Sequence, residues 1–325
     1  MLLAFAYEAF FVSGLMNDFR QQTKKRWLVG LVFALMVFGF AACSSRKAEP
    51  NDAGFHTVVD GLGREVRIQS SPQRIISLAP SVTEMLFALG LGNQVVGVTS
   101  YCDFPEEAKR KEKVGDTLNP NLERLIALKP DLIVITTASQ LERLTQQLSN
   151  QNIPVYVVNP QTVRGIADSI FELGKATGAS AQGETLRDEM LGRINAVETR
   201  VKDLPKPRVL YVLQAAPLIT AGRNTFITDL IRLAGGKSIS ADEPTDYPQL
   251  SRETAIARAP EVIVAPASHG TELVKESDLR RDFAVTPALK ANRIVRVNPD
   301  WVDRPGPRIV DGLEQLAEGL HPTKP

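Results

Sequence analysis

Two segments of the chain, which begin 130 residues apart at positions 121 and 251, carry the same pattern of apolar and polar positions. In residues 121–135 and again in 251–265, a short amphipathic stretch ends at a proline, an acidic residue follows, and four apolar residues come next. Solenoid repeats are only about 20–50 residues long. The pattern therefore predicts two lobes of similar build, and a cleft between two lobes is a usual place for a small ligand.

Apolar runs of strand length alternate with helical segments through both lobes. We expect strands at 74–78, 95–99, 132–136 and 155–158 in the N-terminal lobe, and at 208–213, 262–265 and 294–297 in the C-terminal lobe. Continuously apolar strands are typical of parallel sheets that helices cover on both faces. The prediction is an α/β fold of two Rossmann-like lobes with mainly parallel sheets. A hairpin over residues 56–68, turning at Asp60-Gly61, should precede the first lobe.

A capping pattern predicts where the first helix of the N-terminal lobe begins. Ser81 stands at a plausible N-cap, and Glu84 follows at the spacing of a capping box. The helix should end at Gly90 or Gly92, because glycine adopts the left-handed conformation that closes many helices.

Residues 162–202 are predicted to be mostly helical and to connect the lobes. Apolar residues recur there at steps of three and four, at Leu186, Met190, Ile194, Val197 and Val201. One long helix of this kind would be a stiff connector. Pro205 and Pro207 mark its end. We therefore divide the chain into an N-terminal lobe (55–160), a helical linker (161–203) and a C-terminal lobe (204–325).

The first 42 residues have the pattern of a secretory signal. Basic residues at 20–26 precede a 14-residue apolar run at 27–40, and Ala41-Ala42-Cys43 follows. The run is shorter than the roughly 20 residues of a membrane span, and a basic start with small residues before a cleavage point is typical of a signal peptide. Cys43 resembles the lipidated cysteine of a bacterial lipobox. The alternative is an uncleaved anchor helix that contains a cysteine.

The body of the protein should therefore lie outside the cytoplasm, anchored to the membrane through Cys43 and a tether over residues 43–54. The segment that begins at Met16 forms a complete signal by itself, so we expect translation to start there.

Composition and motifs exclude several functions. The formal net charge is +1, so no basic field would attract nucleic acid. The chain has no Walker-type phosphate loop, no Gly-x-Ser-x-Gly, no His-Glu-x-x-His and no Cys-x-x-Cys. We therefore expect neither an enzyme nor a resident cofactor. If Cys43 carries lipid, Cys102 has no disulfide partner.

Aromatic residues, which make up only 6% of the chain, recur in loops at the carboxyl ends of predicted strands, where open α/β sheets bind their ligands. Tyr101, Phe104 and Trp301 occupy such loops, and Tyr247 precedes the helix that carries Glu253. This arrangement favours a large, flat, amphipathic ligand. The alternative is that each ring packs into the core beneath its loop.

Several segments resemble the extracytoplasmic cobalamin-binding proteins that serve ABC importers. They are Arg74-Ile-Ile-Ser-Leu-Ala-Pro80, Val98-Thr-Ser-Tyr-Cys-Asp-Phe-Pro105, Asn121-Leu-Glu-Arg124, Lys129-Pro-Asp-Leu132, Tyr247-Pro-Gln-Leu-Ser-Arg-Glu253, Asp300-Trp-Val-Asp-Arg304 and Pro307-Arg308-Ile309. The likeness spans about residues 70–320, and the wider group includes siderophore and haem carriers. It implies two α/β lobes joined by one rigid helix.

The resemblance also implies roles for individual residues. Ligand contacts would fall on Pro80, Tyr101, Tyr247, Asp300 and Arg304, with Trp301 beside them. Thr117 and Leu213 stand at positions that are aromatic in one relative of the group.

The same resemblance implies that Glu123 and Glu253 dock the protein onto arginines of a dimeric permease, one carboxylate from each lobe. Alternatively, the two glutamates are first-turn acids that the helix dipole favours.

Two further residues have open interpretations. Cys102 and His269 could be axial ligands of a bound cobalt or iron centre. The alternatives are a small buried thiol for Cys102 and a surface-loop imidazole for His269. The sequence thus predicts a monomeric, lipid-anchored protein that binds cobalamin or a related corrinoid. Haem or an iron–siderophore is the alternative ligand, for which Arg223 and Arg308 are candidate contacts.

Overall fold

Two parallel β-sheets organise the part of the chain that the computed structural model describes, residues 54–137, 141–267 and 274–322. The strands are β1 (Phe55–Val59), β2 (Glu65–Gln69), β3 (Ile75–Ser77), β4 (Val95–Val98), β5 (Glu112–Lys113), β6 (Leu132–Thr136), β7 (Val155–Val158), β8 (Arg208–Tyr211), β9 (Lys237–Ser238), β10 (Val262–Pro266) and β11 (Ile294–Val297). The described residues do not include the predicted signal peptide, the predicted start at Met16, Cys43 or the tether up to residue 53. His269 also lies outside them.

The helices lie between and after these strands. They are α1 (Pro80–Ala88), α2 (Glu106–Lys109), α3 (Leu122–Ala127), α4 (Leu141–Ser149), α5 (Val163–Thr177), α6 (Ser180–Val201), α7 (Phe226–Leu233), α8 (Arg252–Ala257), α9 (Glu276–Asp282), α10 (Pro287–Lys290), α11 (Pro299–Val302) and α12 (Ile309–Leu320). Within the described ranges, no helix is both long enough and apolar enough to cross a membrane.

The two sheets repeat one topology. The first has the order β5-β4-β3-β6-β7, and the second has the order β9-β8-β10-β11. All their strand pairs are parallel. Strands β4-β3-β6-β7 therefore correspond to β9-β8-β10-β11, which confirms the predicted α/β lobes with parallel sheets. We call the part around the first sheet the N-terminal lobe and the part around the second the C-terminal lobe. The hairpin β1–β2 is antiparallel, as predicted.

The repeated sequence pattern has a physical cause in both lobes. Lys129 and Ala259, which precede the two prolines, have left-handed backbones with φ of 46° and 47°. The guanidinium of an arginine at the start of the central strand then donates to the carbonyl of this residue, from Arg74 over 3.2 Å and from Arg208 over 2.8 Å. The left-handed residue and the following proline turn the chain from helix into strand, so both are retained in each copy.

Helix α1 begins differently from the capping prediction. It starts at Pro80, a residue suited to the first helical position, and Ala79 occupies the N-cap without a side-chain hydrogen bond. Ser81 therefore lies inside the first turn, and the predicted capping box is wrong. The carboxylate of Glu84 instead binds two arginines of the C-terminal lobe. The predicted end is confirmed, because Gly90 follows the helix with a φ of 77°.

The connecting segment is two helices rather than one. Gly178 ends α5 with a φ of 80°, and α6 then runs for 22 residues. A Cβ atom at Gly178 would lie 2.8 Å from the carbonyl oxygen of Ser70, so the turn requires glycine. The predicted apolar stripe on α6 is buried from Met190 to Val201. Helix α6 is the long connector, at about 33 Å for 22 residues with a rise of 1.5 Å each.

The linker is fastened to the C-terminal lobe, and the core is shared. Arg193 of α6 donates to Glu314 over 2.9 and 2.7 Å and to Asp311 of α12 over 2.6 Å. One buried apolar cluster contains residues of both sheets, such as Ile75 and Val209, together with Ile194 of α6. A large rotation between the lobes would have to deform this close-packed core, so the connection is stiff.

Candidate functional site

A cavity of about 260 Å³ is lined by residues of both lobes. The N-terminal lobe contributes residues that include Pro80, Thr117, Thr136, Thr137, Asn159, Pro160 and Gln161, and the C-terminal lobe contributes residues that include Asn224, Thr225, Phe226, Asp246, Tyr247, Asp303 and Arg304. Many of them lie at or directly after the carboxyl ends of β3, β6 and β7. Strands β4 and β6 flank β3 on opposite sides, and such a reversal of strand order opens a crevice at the carboxyl ends.

Three of the six predicted ligand contacts line this cavity: Pro80, Tyr247 and Arg304. Tyr247 keeps 53% of its surface exposed, so its ring is accessible to a ligand. Tyr101 and Trp301 are outside the lining, and Tyr101 is 59% exposed. Asp300 also lies outside the lining but forms an ion pair of 2.8 Å with Arg304. The ligand-binding roles of all six remain predictions.

Arg304 is held by three carboxylates. It contacts Asp103 of the N-terminal lobe over 2.7 Å, Asp300 over 2.8 Å, and Glu84 of α1 over 3.4 Å. Burial works against ionisation of Asp103, but the guanidinium of Arg304 lowers the pKa of Asp103 overall. The positive charge of Arg304 is therefore compensated by acids on both sides of the cavity.

Asp303 contributes a carboxylate to the cavity from the residue before Arg304. The hydroxyl of Tyr211, a fully buried residue at the end of β8, donates to Asp303 Oδ1 over 2.6 Å. Burial and the neighbouring Asp300 raise the pKa of Asp303 to about 6, although the Tyr211 hydrogen bond opposes this. Burial, with Asp246 and Asp303, also raises the pKa of Tyr247. The wall on this side is thus acidic and aromatic.

Comparison with known proteins identifies this two-lobed architecture. A family model described as periplasmic binding protein matches residues 75–300 of the chain. The chain belongs to this family. It is therefore a solute-binding protein, which confirms the sequence-based expectation of binding rather than catalysis, and an extracytoplasmic location follows from the same membership.

Three similar proteins align with 77–92% of the binding protein. An uncharacterised ABC transporter substrate-binding lipoprotein of Bacillus subtilis, YvrC, is 33% identical over 92% of this chain and 98% of the relative. The crystal structure of the vitamin B12-binding protein BtuF of Vibrio cholerae superposes with a TM-score of 0.70 at 30% identity, over 77% of this chain and 96% of BtuF. The haem-binding protein RhuT of Roseiflexus sp. RS-1 gives 0.69 at 27% identity, over 77% and 98%.

Several lining residues of this periplasmic binding protein escaped the sequence analysis. Asn159, Pro160 and Gln161 directly follow β7 and obey the same strand-end rule that located Pro80. Asn159 Oδ1 accepts hydrogen bonds from Thr137 over 3.1 Å and from Gln161 over 2.9 Å, which orient all three side chains. The sequence did not indicate a role for Asp303 in the cavity, because its hydrogen-bond partner Tyr211 is 92 residues away along the chain.

Cys102 is not part of the cavity lining of the binding protein. It is buried in the N-terminal lobe, where Thr83 Oγ1 donates to its sulfur over 3.1 Å and Thr99 Oγ1 lies 3.2 Å away. This placement favours the interpretation as a small buried thiol. Among the described residues, no group of three or more His, Cys, Asp or Glu side chains is arranged to hold a metal ion.

Glu123 and Glu253 occupy equivalent exposed positions on the two lobes. Each lies in the first turn of a short helix, α3 or α8. The helices are capped in the same way, because Asn121 accepts from the Arg124 N–H over 2.9 Å and Ser251 accepts from the Thr254 N–H over 3.0 Å. Backbone and Ser251 hydrogen bonds lower the pKa of Glu253. Both carboxylates face solvent, and docking remains a prediction.

Proposed function

We propose that this solute-binding protein captures cobalamin or a related corrinoid in the cleft between its lobes and delivers it to the permease of an ABC importer. The observation that carries the proposal is the mostly uncharged lining of the cavity, which includes the side-chain amides of Asn159, Gln161 and Asn224 and the rings of Phe226 and Tyr247. Its charged residues within the described part are Asp246, Asp303 and Arg304, and acids compensate the single arginine. Such a lining suits a ligand that is itself fringed with neutral amides.

Pro80 and Tyr247, which line the cavity, would pack against the flat faces of a corrin ring. Arg304 and Asp300 would bind polar groups of its periphery or of the nucleotide tail, with Tyr101 and Trp301 near the rim. The cavity of about 260 Å³ is smaller than the usual 300–1,000 Å³ of ligand pockets. A corrinoid therefore requires some separation of the lobes, and the exposed Asp103–Arg304 ion pair is one of the contacts between the lobes that would have to break.

Haem or an iron–siderophore is the second candidate, supported by the likeness to RhuT. Carboxylate-bearing chelates favour arginine contacts. The two arginines considered for this purpose are committed elsewhere, because Arg308 binds Glu84 over 2.7 Å and Arg223 donates to the Asp242 carbonyl over 3.0 Å. Neither belongs to the lining, which ranks an anionic chelate below a corrinoid.

Delivery and location complete the proposal. Glu123 and Glu253 would dock one lobe each onto arginines of a two-subunit permease. Residues 1–42 would act as a signal peptide, Cys43 would carry the lipid anchor, and the mature protein would work as a monomer.

Calorimetric titration tests the ligand. The purified protein, held in detergent, is titrated with cyanocobalamin, haemin and a ferric hydroxamate siderophore. We expect a micromolar or lower Kd for cyanocobalamin and weaker binding of the other two. Tight binding of haemin without binding of cyanocobalamin would reverse the ranking.

A further inference from the structure

Asp303 combines a fixed position with an available acceptor. Its Oδ1 is tied to the Tyr211 hydroxyl at 2.6 Å, and Tyr211 is itself immobilised because it is fully buried at the end of β8. Within the described ranges, no side chain or backbone group donates to the second oxygen, Oδ2, and no ion pair includes Asp303. Since Asp303 lines the cavity, Oδ2 is an acceptor that this wall offers to a ligand.

The surroundings of Asp303 keep its charge uncompensated. The titratable groups that face it are Tyr211 from β8, Tyr247 from the loop before α8, and Asp300 from its own helix. The adjacent Arg304 directs its guanidinium to Asp103, Asp300 and Glu84 instead. A negative charge from the ligand would therefore meet the negative charge of Asp303, while the cation of the lining, Arg304, is already paired with three carboxylates, and like charges in a desolvated site repel strongly.

We propose that Asp303 determines the ligand class of the cleft: its carboxylate accepts a hydrogen bond from an uncharged amide of the ligand and rejects a ligand that places a carboxylate at the same point. This inference rests on the proposed corrinoid function and makes it more specific. The chemistry predicts a preference for amide over acid at one side chain of the ligand, because a hydrogen bond to an ionised acceptor is stronger than one between neutral groups.

A matched set of ligands tests this preference. Mild hydrolysis of cyanocobalamin converts one propionamide at a time into a propionate, which gives monocarboxylate isomers that differ from the parent by one group. We expect the wild-type protein at pH 7.5 to bind at least one isomer tenfold or more weakly than cyanocobalamin. Asp303→Asn keeps the shape and removes the charge, and it should reduce that discrimination to threefold or less. Asp203→Asn, at an exposed aspartate outside the lining, is the matched control and should leave the discrimination unchanged.

The same titrations distinguish a failure of the role proposed for Asp303 from a failure of the proposed corrinoid function. If cyanocobalamin binds and the discrimination is the same in wild type and Asp303→Asn for every isomer, the role of Asp303 is refuted while the proposed function stands. If cyanocobalamin does not bind, the proposed function fails. The role of Asp303 is then tested separately with haemin, which carries two carboxylates. Tenfold tighter haemin binding by Asp303→Asn than by wild type supports the role, and an unchanged Kd refutes it. Thermal unfolding of each variant shows that it is folded.

Discussion

Glu84 and Arg308 form a two-point ion pair across the two lobes. Glu84 Oε1 accepts from the terminal nitrogen of Arg308 over 2.7 Å, and Oε2 accepts from Nε over 2.9 Å. The Glu84 side chain is only 2% exposed, and the Arg308 guanidinium also lies 4.0 Å over the ring of Phe104. This pair fixes the N-terminal end of α12 against α1, so it holds the lobes together close to the cavity.

Removal of this carboxylate should therefore destabilise the protein. Loss of one partner of a buried ion pair leaves the other charge unpaired, which costs about 3–5 kcal/mol. We expect Glu84→Gln to lower the free energy of unfolding by about 3 kcal/mol, measured by urea denaturation at pH 7.5. Glu107→Gln, at an exposed glutamate of α2, is the control. A loss below about 1 kcal/mol for Glu84→Gln would show that the pair contributes little beyond its desolvation cost.

A more exposed ion pair between the lobes, Asp103–Arg304, should behave differently. Its distance is 2.7 Å, but the Asp103 side chain is 51% exposed, so solvent screens the attraction. We expect Asp103→Asn to change the free energy of unfolding by less than about 1 kcal/mol. The same substitution should accelerate ligand association severalfold, because opening of the cleft then breaks one charge pair fewer, while the pairs of Glu84 with Arg304 and Arg308 remain. Stopped-flow measurement with cyanocobalamin checks the rate.

The salt dependence of the wild-type association rate is a control for the interpretation that the Asp103–Arg304 ion pair slows opening of the cleft, and it needs no mutation. Raising the ionic strength to 1 M shortens the screening length to about 3 Å, so the wild-type association rate should approach that of Asp103→Asn. Equal rates for the two proteins at low salt would mean that this pair does not limit opening.

The sequence predicted the parts of the fold that depend on local chemistry. The helix–proline–acid–strand pattern located β6 and β10 and their equivalence, because buried parallel strands require continuous apolar runs and the turn before them requires proline. Gly90 ended α1 as predicted for the same local reason. The break at Gly178 was missed, because glycine is necessary there only through the close approach of the Ser70 carbonyl, which is distant in sequence.

Of the residues that line the cavity, the sequence could predict those that follow the carboxyl ends of strands. Pro80 and Thr137 follow strands and line the cavity, and Asn159 could have been found by the same rule. Glu84 has the spacing of a capping box, yet its partner Arg308 is 224 residues away. Asp303 depends in the same way on Tyr211. Spacing along the chain carries no information about such contacts, because they form only when the two lobes pack together.

The raised pKa of Asp303 predicts an unusual pH dependence of stability. Its pKa is about 6 in the folded protein and 3.8 as the ordinary value, so the folded state favours the protonated form. The resulting stabilisation is complete below pH 4 and is lost as the pH rises through 6; its size is about 3 kcal/mol for a shift of two units. Burial lowers the pKa of His321, which acts oppositely in the same range, so a direct comparison with a variant is needed.

Asp303→Asn supplies that comparison because His321 is common to both proteins. The difference in unfolding free energy between variant and wild type should shift in favour of the variant by about 2–3 kcal/mol between pH 4 and pH 7.5. Urea denaturation at several pH values measures it. A difference that does not change with pH would contradict the raised pKa.

The equivalent positions of Glu123 and Glu253 predict that these residues act in delivery to the permease and not in ligand binding. Both carboxylates are exposed at the start of corresponding helices, outside the cavity, so their charge should not affect the Kd for the ligand. Paired with permease arginines, each would orient one lobe on one subunit.

We expect Glu123→Arg with Glu253→Arg to abolish uptake of radiolabelled cyanocobalamin in cells that depend on this importer, and each single change to reduce it partially. The double variant Glu107→Arg with Glu184→Arg reverses the same number of exposed charges and should transport normally. Normal uptake by the Glu123/Glu253 double variant would mean that these residues serve only to start their helices.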